Sequence, residues 1–309
     1  MDIIVGYTGF VGSNIAAEHK FDYSFNSKNI GDAFGINPDL CVYSGVRAEK
    51  FLANNDPDGD MAVINNAIEN IKKINPKRIV LISTIDVYKN PNGADEDTVI
   101  DTENLHPYGL DRYRLEQWVS RNFENYHIVR LPGLFGRNIK KNFIFDMINI
   151  IPSMLNGQKY GELSAKSSLI GSSYKKQEKV YYKLCVDGED DKSALKKEFL
   201  SVGFSALNFT DSRGVFQFYN LQKLWKHIEI IIKNDLRLVN MAVEPVCTAD
   251  IYKRITGKEF VNEVAKNPPL YDFRTKYYSL FGGKDGYIFD KEQVSRDIEE
   301  FVKAQLVDE

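Results

Sequence analysis

In "DIIVGYTGFVG" at residues 2–12, a short apolar run is followed at once by closely spaced glycines. The apolar run predicts a buried strand, and "GSNIAAEHK" at residues 12–20 predicts the helix that follows it. The glycines, Gly6, Gly9 and Gly12, therefore fall at a junction between a strand and a helix.

A strand–helix junction of this kind is suited to bind a phosphate group. Glycines allow a tight turn and let a ligand reach the backbone without a Cβ in the way, and the N–H groups of the first helical turn point at the anion. We therefore predict a dinucleotide-binding turn, with a plain glycine-rich turn as the alternative. The residues expected to line the cofactor here are Gly6, Thr8, Gly9, Phe10, Val11 and Gly12.

Residues 1–150 alternate short apolar runs with amphipathic helical patterns. The clearest strand is "KRIVLIST" at residues 77–84, whose four consecutive apolar residues are typical of a strand covered on both faces. This alternation predicts the α/β class, with a Rossmann-type doubly wound parallel sheet. After about residue 150 the pattern becomes polar, and residues 157–201 could form either a mobile insertion or a small lobe.

These patterns predict two parts of the chain. The first is an NAD(P)-binding Rossmann domain at residues 1–150, with returning segments at about 205–245. The second is a smaller C-terminal α/β lobe that binds substrate, made of residues 151–204 and 246–309.

Composition and charge argue against several classes of protein. The 309 residues are 43% hydrophobic and 27% charged, and the net charge of −3 gives no electrostatic reason to expect nucleic acid or an anionic membrane as a partner. The three cysteines and four histidines show no disulfide or metal-ligand spacing, so we expect no metal and a reducing compartment. With no signal-peptide pattern and no apolar run of about 18 residues, the expected localisation is cytoplasmic.

The end of the predicted second strand bears on the choice of cofactor. Dinucleotide sites that prefer NAD carry an acid about 20 residues after the glycines, where it holds the ribose 2′-hydroxyl. Here the chain reads Phe25, Asn26, Ser27, Lys28, with no carboxylate. Ser27 and Lys28 could meet a 2′-phosphate, which favours NADP over NAD, and an exposed surface lysine is the alternative.

Two hydroxyl side chains and a cation form a candidate reacting centre. Thr84 ends the strongest strand, and carboxyl ends of strands face the ligand crevice in such sheets. Tyr108 opens a predicted helix, and Arg112 lies one turn later on the same face. A nearby cation favours the phenolate of a tyrosine, which can then move a proton while a nicotinamide transfers hydride. Taken alone, a tyrosine at a helix start is more often a packing residue.

A larger set of motifs shows a family resemblance. They occur in family order across about residues 1–150 and 205–260, and they are "GYTGFVG" at 6–12, "SGVRA" at 44–48, "NNAIEN" at 65–70, "STIDVY" at 83–88, "YGLDR" at 108–112, "RLPGLFG" at 130–136 and "RGVFQFYNL" at 213–221. With these motifs the chain resembles an extended short-chain dehydrogenase/reductase of the NAD-dependent epimerase/dehydratase family, of the UDP-glucose 4-epimerase type.

The resemblance implies roles for individual residues. Thr84 and Tyr108 match the catalytic Ser/Thr and tyrosine, and Arg112 stands where the family has lysine. Further implied cofactor contacts are Ser44, Gly45, Arg47, Asn66, Ser83, Tyr108, Arg112 and Pro132. The implied substrate contacts are Thr84, Asn142 and Arg213, the last two toward a nucleotide diphosphate.

Two departures from the family pattern shape the functional prediction. Arg112 keeps the positive charge, but its broad fork cannot copy the compact ammonium that also binds the nicotinamide ribose. Dehydratases of the family carry two acids after the Ser/Thr, whereas this chain has Ile85 and then Asp86, which disfavours dehydration.

The sequence therefore predicts an NAD(P)-dependent epimerase or ketoreductase acting on a nucleotide sugar or a related hydroxyl or keto substrate. A possible homodimer is left open. The alternative is an NAD(P)-binding sensor or interaction protein with weak or no catalysis, because Arg112 replaces the usual lysine.

Overall fold

The protein is represented by a computed structural model that describes residues 1–177, 181–186 and 188–307. Its strands are β1 (Asp2–Val5), β2 (Tyr23–Phe25), β3 (Leu40–Tyr43), β4 (Ile79–Thr84), β5 (Tyr126–Leu131), β6 (Gly133–Phe135), β7 (Met154–Asn156), β8 (Tyr174–Lys176), β9 (Tyr181–Leu184), β10 (Val215–Phe216), β11 (Phe218–Asn220), β12 (Leu238–Asn240) and β13 (Val246–Cys247).

The α-helices lie between these strands and at the end of the chain. They are α1 (Phe10–Glu18), α2 (Lys50–Asn55), α3 (Pro57–Ile74), α4 (Pro107–Asn122), α5 (Phe143–Ile148), α6 (Gly157–Lys166), α7 (Ser168–Ser173), α8 (Glu189–Ser201), α9 (Leu224–Lys233), α10 (Thr248–Thr256) and α11 (Lys291–Val307). Among the described residues, none of these helices has both the length and the apolar character that a bilayer crossing requires.

The central sheet has the strand order β12-β5-β4-β3-β1-β2, and every neighbouring pair is parallel. The predicted Rossmann-type parallel sheet is therefore confirmed. Its middle strands are apolar and buried, as the continuous apolar runs require: Ile3, Ile4, Ile79 and Val80 are each 0% exposed.

The strand order places a ligand crevice beside β1. Strands β2 and β3 both follow β1 in the chain but lie on opposite sides of it. Ligands of such sheets bind outside the carboxyl ends of the strands where the order reverses. In this sheet that point lies after Val5 and Tyr43, next to the turn that begins at Gly6.

Local sequence signals explain where the two long helices beside the sheet begin. In α3, the Asp56 side chain accepts a hydrogen bond from the Gly59 N–H at 3.2 Å, and Pro57 occupies the first helical position. In α4, the His106 Nδ1 accepts from the Gly109 N–H at 3.0 Å, again with a proline at the first position. Both caps fix the start of a helix that faces the crevice.

The chain divides into two compact units. Unit 1 contains residues 1–139, 216–246 and 270–297. The last of these segments joins unit 1 through buried backbone contacts: the Phe273 N–H donates to Gln217 Oε1 at 2.9 Å, and the Ile288 N–H donates to the Ala242 carbonyl at 2.8 Å. The sequence-based division grouped residues 246–309 together, so it placed 270–297 in the other part.

Unit 2 contains residues 140–215, 247–269 and 298–309. Its described part includes an antiparallel sheet of order β7-β9-β8 and the helices α6, α7 and α8. These elements share a core made of Leu155, Leu163, Ile170, Tyr174, Leu195 and Phe199. Of the two possibilities for the polar segment at 157–201, the described residues form a small packed lobe.

A buried polar network crosses unit 1 beneath the crevice. Glu116 on α4 and Arg130 on β5 form an ion pair with Oε2 and Nη2 at 2.6 Å, and both side chains are 3% exposed. Glu116 also accepts from the Ser83 hydroxyl at 2.5 Å, and Arg130 donates to the Tyr88 hydroxyl at 2.7 Å. The network ties α4 to the end of β4, which fixes the spacing between the two elements that carry the candidate site.

Candidate active site

The glycine turn after β1 has a backbone that only glycine tolerates. Gly6 has a φ of +90°, and a Cβ there would lie 2.6 Å from the Ser44 carbonyl oxygen. The Gly6 N–H donates to the Phe25 carbonyl at 2.7 Å, and the Gly9 N–H donates to the Gly6 carbonyl at 2.9 Å. Because α1 begins at Phe10, the turn leads directly into a helix N-terminus, as an anion site requires.

Gly12 lets the first turn of α1 pack against the loop. A Cβ on Gly12 would lie 2.2 Å from the Gly6 carbonyl oxygen and 2.7 Å from the Ser44 hydroxyl. In a dinucleotide-binding fingerprint, one glycine serves to let the helix pack this closely, while the others allow the tight turn and the approach of the diphosphate. The cradle therefore fits the diphosphate of a dinucleotide.

We expect Gly12→Ala to lower the free energy of unfolding by about 1–3 kcal/mol, because the added Cβ forces the backbone of the turn to shift. Urea unfolding followed by circular dichroism measures this loss. Gly31→Ala is the matched control, since a Cβ there meets no atom within 4 Å. An equal, small effect of both substitutions would contradict the tight packing of α1 on the turn.

The structure brings Thr84 and Tyr108 together. Thr84 ends β4, and its Oγ1 accepts a hydrogen bond from the Asp86 N–H at 3.1 Å. Tyr108, 7% exposed, is the second residue of α4, and the Thr84 hydroxyl lies close enough to its phenol to act on the pKa. Because Asp86 occupies one lone pair of Oγ1, the Thr84 hydroxyl can still donate its own hydrogen.

Arg112 lies under the ring of Tyr108 rather than beside its hydroxyl. The guanidinium carbon is 3.9 Å from the ring centroid, and the side chain is buried. Nη1 donates to the Asp60 carboxylate in a buried ion pair, and Nη2 donates to the Arg47 carbonyl at 2.6 Å. Arg112 also donates to the Tyr108 carbonyl at 3.2 Å, so it anchors the tyrosine while Asp60 compensates its charge.

Burial raises the pKa of the Tyr108 phenol above its ordinary value. The Arg112 charge and the neighbouring Thr84 hydroxyl act to lower the pKa, while the carboxylates of Asp86 and Asp60 act to raise it. At neutral pH the side chain is therefore the neutral phenol. Such a group is set up to donate a proton to an oxygen that gains negative charge.

A second charged cluster adjoins this pair and was missed by the sequence reasoning. Lys50 Nζ on α2 forms an ion pair with Asp86 Oδ1 at 2.8 Å, and the Tyr271 phenol lies nearby. Burial lowers the pKa of Lys50, but Asp86 and Tyr271 together outweigh it and hold the pKa above its ordinary value. Burial and the Lys50 charge lower the pKa of His106.

We expect Arg112→Lys to lower the free energy of unfolding by about 1–3 kcal/mol and not to raise turnover. A single ammonium cannot reproduce the contacts to Asp60, Arg47 and the Tyr108 backbone together with the stacking on the ring. Urea unfolding provides the measurement, with Arg121→Lys at an exposed position of the same helix as the control. A lysine variant as stable as the native protein and more active would contradict the anchoring role of Arg112.

The other predicted cofactor residues of unit 1 lie on several different elements. Strand β2 ends at Phe25, whose carbonyl accepts a hydrogen bond from the Gly6 N–H. Ser27 and Lys28 are exposed in the loop that follows this strand. The Ser44 hydroxyl donates to the Val5 carbonyl at 2.8 Å, which holds the ends of β1 and β3 together. The remaining members of the set are an exposed Gly45, an exposed Arg47, an exposed Asn66 on α3 and a half-buried Pro132 between β5 and β6.

Ser83 is placed differently from its neighbour Thr84. Its side chain is buried, and its hydroxyl donates to Glu116. The structure therefore commits Ser83 to the buried network, and a cofactor contact from its hydroxyl would require that bond to break.

The two predicted diphosphate contacts lie in unit 2, and both have local partners. Asn142 caps α5, where its Oδ1 accepts from the Ile144 N–H at 3.0 Å. Arg213 forms two bonds with Asp211, at 2.9 and 2.8 Å, and one with Glu263 at 2.8 Å. To hold a diphosphate, the Arg213 fork would have to leave these carboxylates.

The missed residues carried no local signal. Asp60 and Lys50 lie on helices with ordinary surface composition, 52 and 36 residues from the partners that they meet in space. Only the position of Asp86, two residues after Thr84, was visible in the sequence as part of the candidate site.

Comparison with solved structures identifies proteins of the same fold. A dTDP-4-dehydrorhamnose reductase from Bacillus anthracis, solved in complex with NADP, matches with a TM-score of 0.62 and 16% identity over 98% of this chain and 97% of its own. A UDP-N-acetylglucosamine 4-epimerase from Methanobrevibacter ruminantium, bound to UDP-N-acetylmuramic acid, matches with a TM-score of 0.61 and 12% identity over 100% and 98%.

A UDP-glucose 4-epimerase from Thermotoga maritima, solved with UDP-glucose, matches with a TM-score of 0.58 and 14% identity over 98% of each chain. The resemblance predicted from the motifs is thus confirmed for the fold. No family model matches the sequence, and no curated protein matches it.

Proposed function

We propose that the protein is an NAD(P)-dependent enzyme that reduces a keto group of a nucleotide sugar. The observation that carries the proposal is a buried tyrosine phenol beside the Thr84 hydroxyl, at the carboxyl end of β4 in the same sheet whose β1 leads into a dinucleotide-type glycine turn. The NADP in the similar reductase structure and the nucleotide sugars in the similar epimerase structures support the choice of cofactor and substrate class.

The residues of the site have distinct functions in this proposal. The turn from Gly6 to Gly12 and the first N–H groups of α1 hold the dinucleotide diphosphate. When bound, the reduced nicotinamide supplies the hydride. Tyr108 donates its phenolic proton to the carbonyl oxygen of the substrate as that oxygen gains charge, and Thr84 donates a hydrogen bond to the same oxygen.

Arg112 and Asp60 act together on the position of the catalytic tyrosine. The stacked guanidinium and its bonds to the backbone on either side restrict the ring, and the buried carboxylate fixes the guanidinium. Because the arginine remains charged at every accessible pH, it contributes a constant field and exchanges no proton.

The cofactor preference follows from the surface beside the turn. The loop after β2 presents the Ser27 hydroxyl and the Lys28 ammonium, and "FNSK" at residues 25–28 contains no carboxylate that would repel a 2′-phosphate. We propose that NADPH binds more tightly than NADH, which parallel calorimetric titrations with the two cofactors test.

Epimerisation is the second candidate, because two of the similar structures are 4-epimerases. An epimerase must remove a proton from a hydroxyl as readily as it returns one. Burial raises the pKa of Tyr108 and so disfavours the phenolate that an epimerase needs as its base, whereas the neutral phenol already carries the proton that reduction requires; reduction therefore comes first.

The test uses purified full-length protein with NADPH and a panel of nucleotide sugars, some with a 4-keto group and some with a 4-hydroxyl group. We expect NADPH oxidation with at least one keto sugar, and a product two mass units heavier than the substrate. Inversion at C4 without net NADPH oxidation would favour the epimerase. Saturable cofactor binding without turnover of any sugar would favour the sensor.

A further inference from the structure

Helix α2 presents two polar side chains to the candidate active site. Lys50 and Asn54 lie four residues apart, on one face of the helix. Asn54 Oδ1 accepts from the Tyr108 N–H at 3.1 Å, and Lys50 Nζ contacts Asp86 Oδ1 at 2.8 Å. The remaining surface of the helix includes Phe51, which is 64% exposed. The polar face of α2 therefore meets the site at both the tyrosine and the acid.

Asp86 lies between the two hydroxyl residues. Its N–H donates to Thr84 Oγ1, and its carbonyl oxygen packs against the first turn of α4, where a Cβ on Gly109 would be only 2.0 Å away. This packing holds the Asp86 carboxylate within electrostatic range of the Tyr108 phenol, where the negative charge opposes ionisation.

Arg112 does not balance that carboxylate. It forms a buried ion pair with Asp60, and both side chains are at most 7% exposed. Lys50 is the cation in contact with Asp86, and its side chain is 41% exposed at the edge of the site. The other titratable groups around this pair are Tyr271, His106 and Tyr108.

We infer that Lys50 and Asp86 form a charge-balancing pair that sets the ionisation of Tyr108, in which Lys50 offsets the Asp86 charge while Arg112 acts on the phenol directly. The inference rests on the proposed function for the importance of Tyr108 ionisation. Lys50 is thus a positioning residue, which acts on the tyrosine through Asp86 rather than on the substrate.

Removing the charge of Lys50 and removing the charge of Asp86 should shift the pKa of Tyr108 in opposite directions. Without Lys50, the Asp86 charge acts on the phenol uncompensated, so the pKa of Tyr108 rises. Without the Asp86 charge, Lys50 remains as a net cation near the phenol, so the pKa falls. Removal of both charges together returns the phenol close to its original pKa, and Lys50→Arg keeps the balance.

The experiment places 3,5-difluorotyrosine at position 108 of the full chain, because its phenol is more acidic than that of tyrosine and titrates where the protein stays folded. Fluorine NMR then follows the phenol directly, without cofactor or substrate. We expect Lys50→Met to raise its pKa by about one unit and Asp86→Asn to lower it by about one unit. Both Lys50→Arg and the double variant Lys50→Met/Asp86→Asn should titrate within about a third of a unit of the parent.

Lys72→Met is the matched control, since Lys72 forms an exposed ion pair with Glu69 on α3 and should leave the titration unchanged. Shifts of the same sign for Lys50→Met and Asp86→Asn, or no shift in either, overturn the inference. If the Lys50→Met protein does not fold, the other two variants decide the outcome. A lower Tyr108 pKa in Asp86→Asn together with an unchanged pKa in Lys50→Arg supports the inference, and any other result overturns it.

Failure of this inference is separable from failure of the proposed function. If the two substitutions shift the Tyr108 pKa in opposite directions but the protein turns over no nucleotide sugar, the charge-balancing pair is supported and only the enzymatic proposal is rejected. If the protein turns over a nucleotide sugar but neither substitution shifts the Tyr108 titration, the enzymatic proposal is supported and only the charge-balancing role of Lys50 and Asp86 is rejected. In an active protein, the pH profile of kcat/KM should move in the same directions as the fluorine titration.

Discussion

Tyr108→Phe is expected to lower kcat for the NADPH-dependent reaction by about 10²–10⁴-fold, the usual contribution of a general acid, with little change in cofactor affinity. The substitution removes the proton that the substrate oxygen receives but keeps the ring that stacks on Arg112. Steady-state kinetics with a keto nucleotide sugar and calorimetry with NADPH measure the two quantities. Thr84→Val would produce a smaller loss, because it removes only a hydrogen bond to the same oxygen.

Tyr113→Phe is the matched control for this prediction, since Tyr113 is half-buried on the same helix and packs against an apolar cluster. Its turnover should stay within about twofold of the native value. Full activity of Tyr108→Phe would mean that another group donates the proton. Loss of NADPH binding in Tyr108→Phe would instead mean that the phenol has a structural role.

Arg130→Met is expected to lower the free energy of unfolding by about 3–5 kcal/mol. The substitution leaves the Glu116 carboxylate buried without its ion-pair partner and removes the donor to the Tyr88 hydroxyl. Urea unfolding measures the loss. Arg296→Met, which breaks an exposed pair with Glu292 on α11, should change the stability by no more than about 1 kcal/mol.

The double variant Glu116→Leu/Arg130→Met distinguishes a buried-charge effect from a packing effect. Replacing both charges by apolar groups should recover part of the lost stability, because no unpaired charge then remains in the interior. A loss below about 1 kcal/mol in Arg130→Met alone would show that water reaches Glu116 and that the network is not closed.

The sheet and its glycine turn could be predicted because their signals are local. The apolar runs in β1 and β4 predicted buried strands, and the structure confirms both. The helix that Tyr108 was predicted to open begins one residue earlier, at Pro107. That proline follows the capping side chain of His106, so this boundary has a local signal in the sequence.

The charged surroundings of Tyr108 could not be predicted, because they depend on contacts between distant elements. A sequence shows Arg112 one turn after the tyrosine, but not that Asp60 occupies its fork. Lys50 precedes Asp86 by 36 residues, and no periodic pattern links them. The sequence also suggested that Arg213 was open to a ligand, whereas Asp211 lies two residues away and accepts two of its bonds.

The assignment of residues 270–297 to unit 1 could not be predicted either, because it also depends on contacts between segments that are distant in the sequence. Residues 270–290, before α11 begins, have little regular secondary structure, so they show no strand or helix pattern that would assign them to the sheet. It is held instead by hydrogen bonds such as that from the Phe273 N–H to the buried Gln217 side chain. A glutamine inside a strand-like apolar stretch was the one visible hint that a partner had to exist.

A crystal structure of the protein grown with NADPH shows where the nicotinamide lies relative to Tyr108. We expect the diphosphate on the turn from Gly6 to Gly12 and the nicotinamide ring beside the hydroxyl groups of Thr84 and Tyr108. A nucleotide bound elsewhere, or one bound at the turn with its nicotinamide directed away from Tyr108, would show that this pair of hydroxyl groups is not the reacting centre.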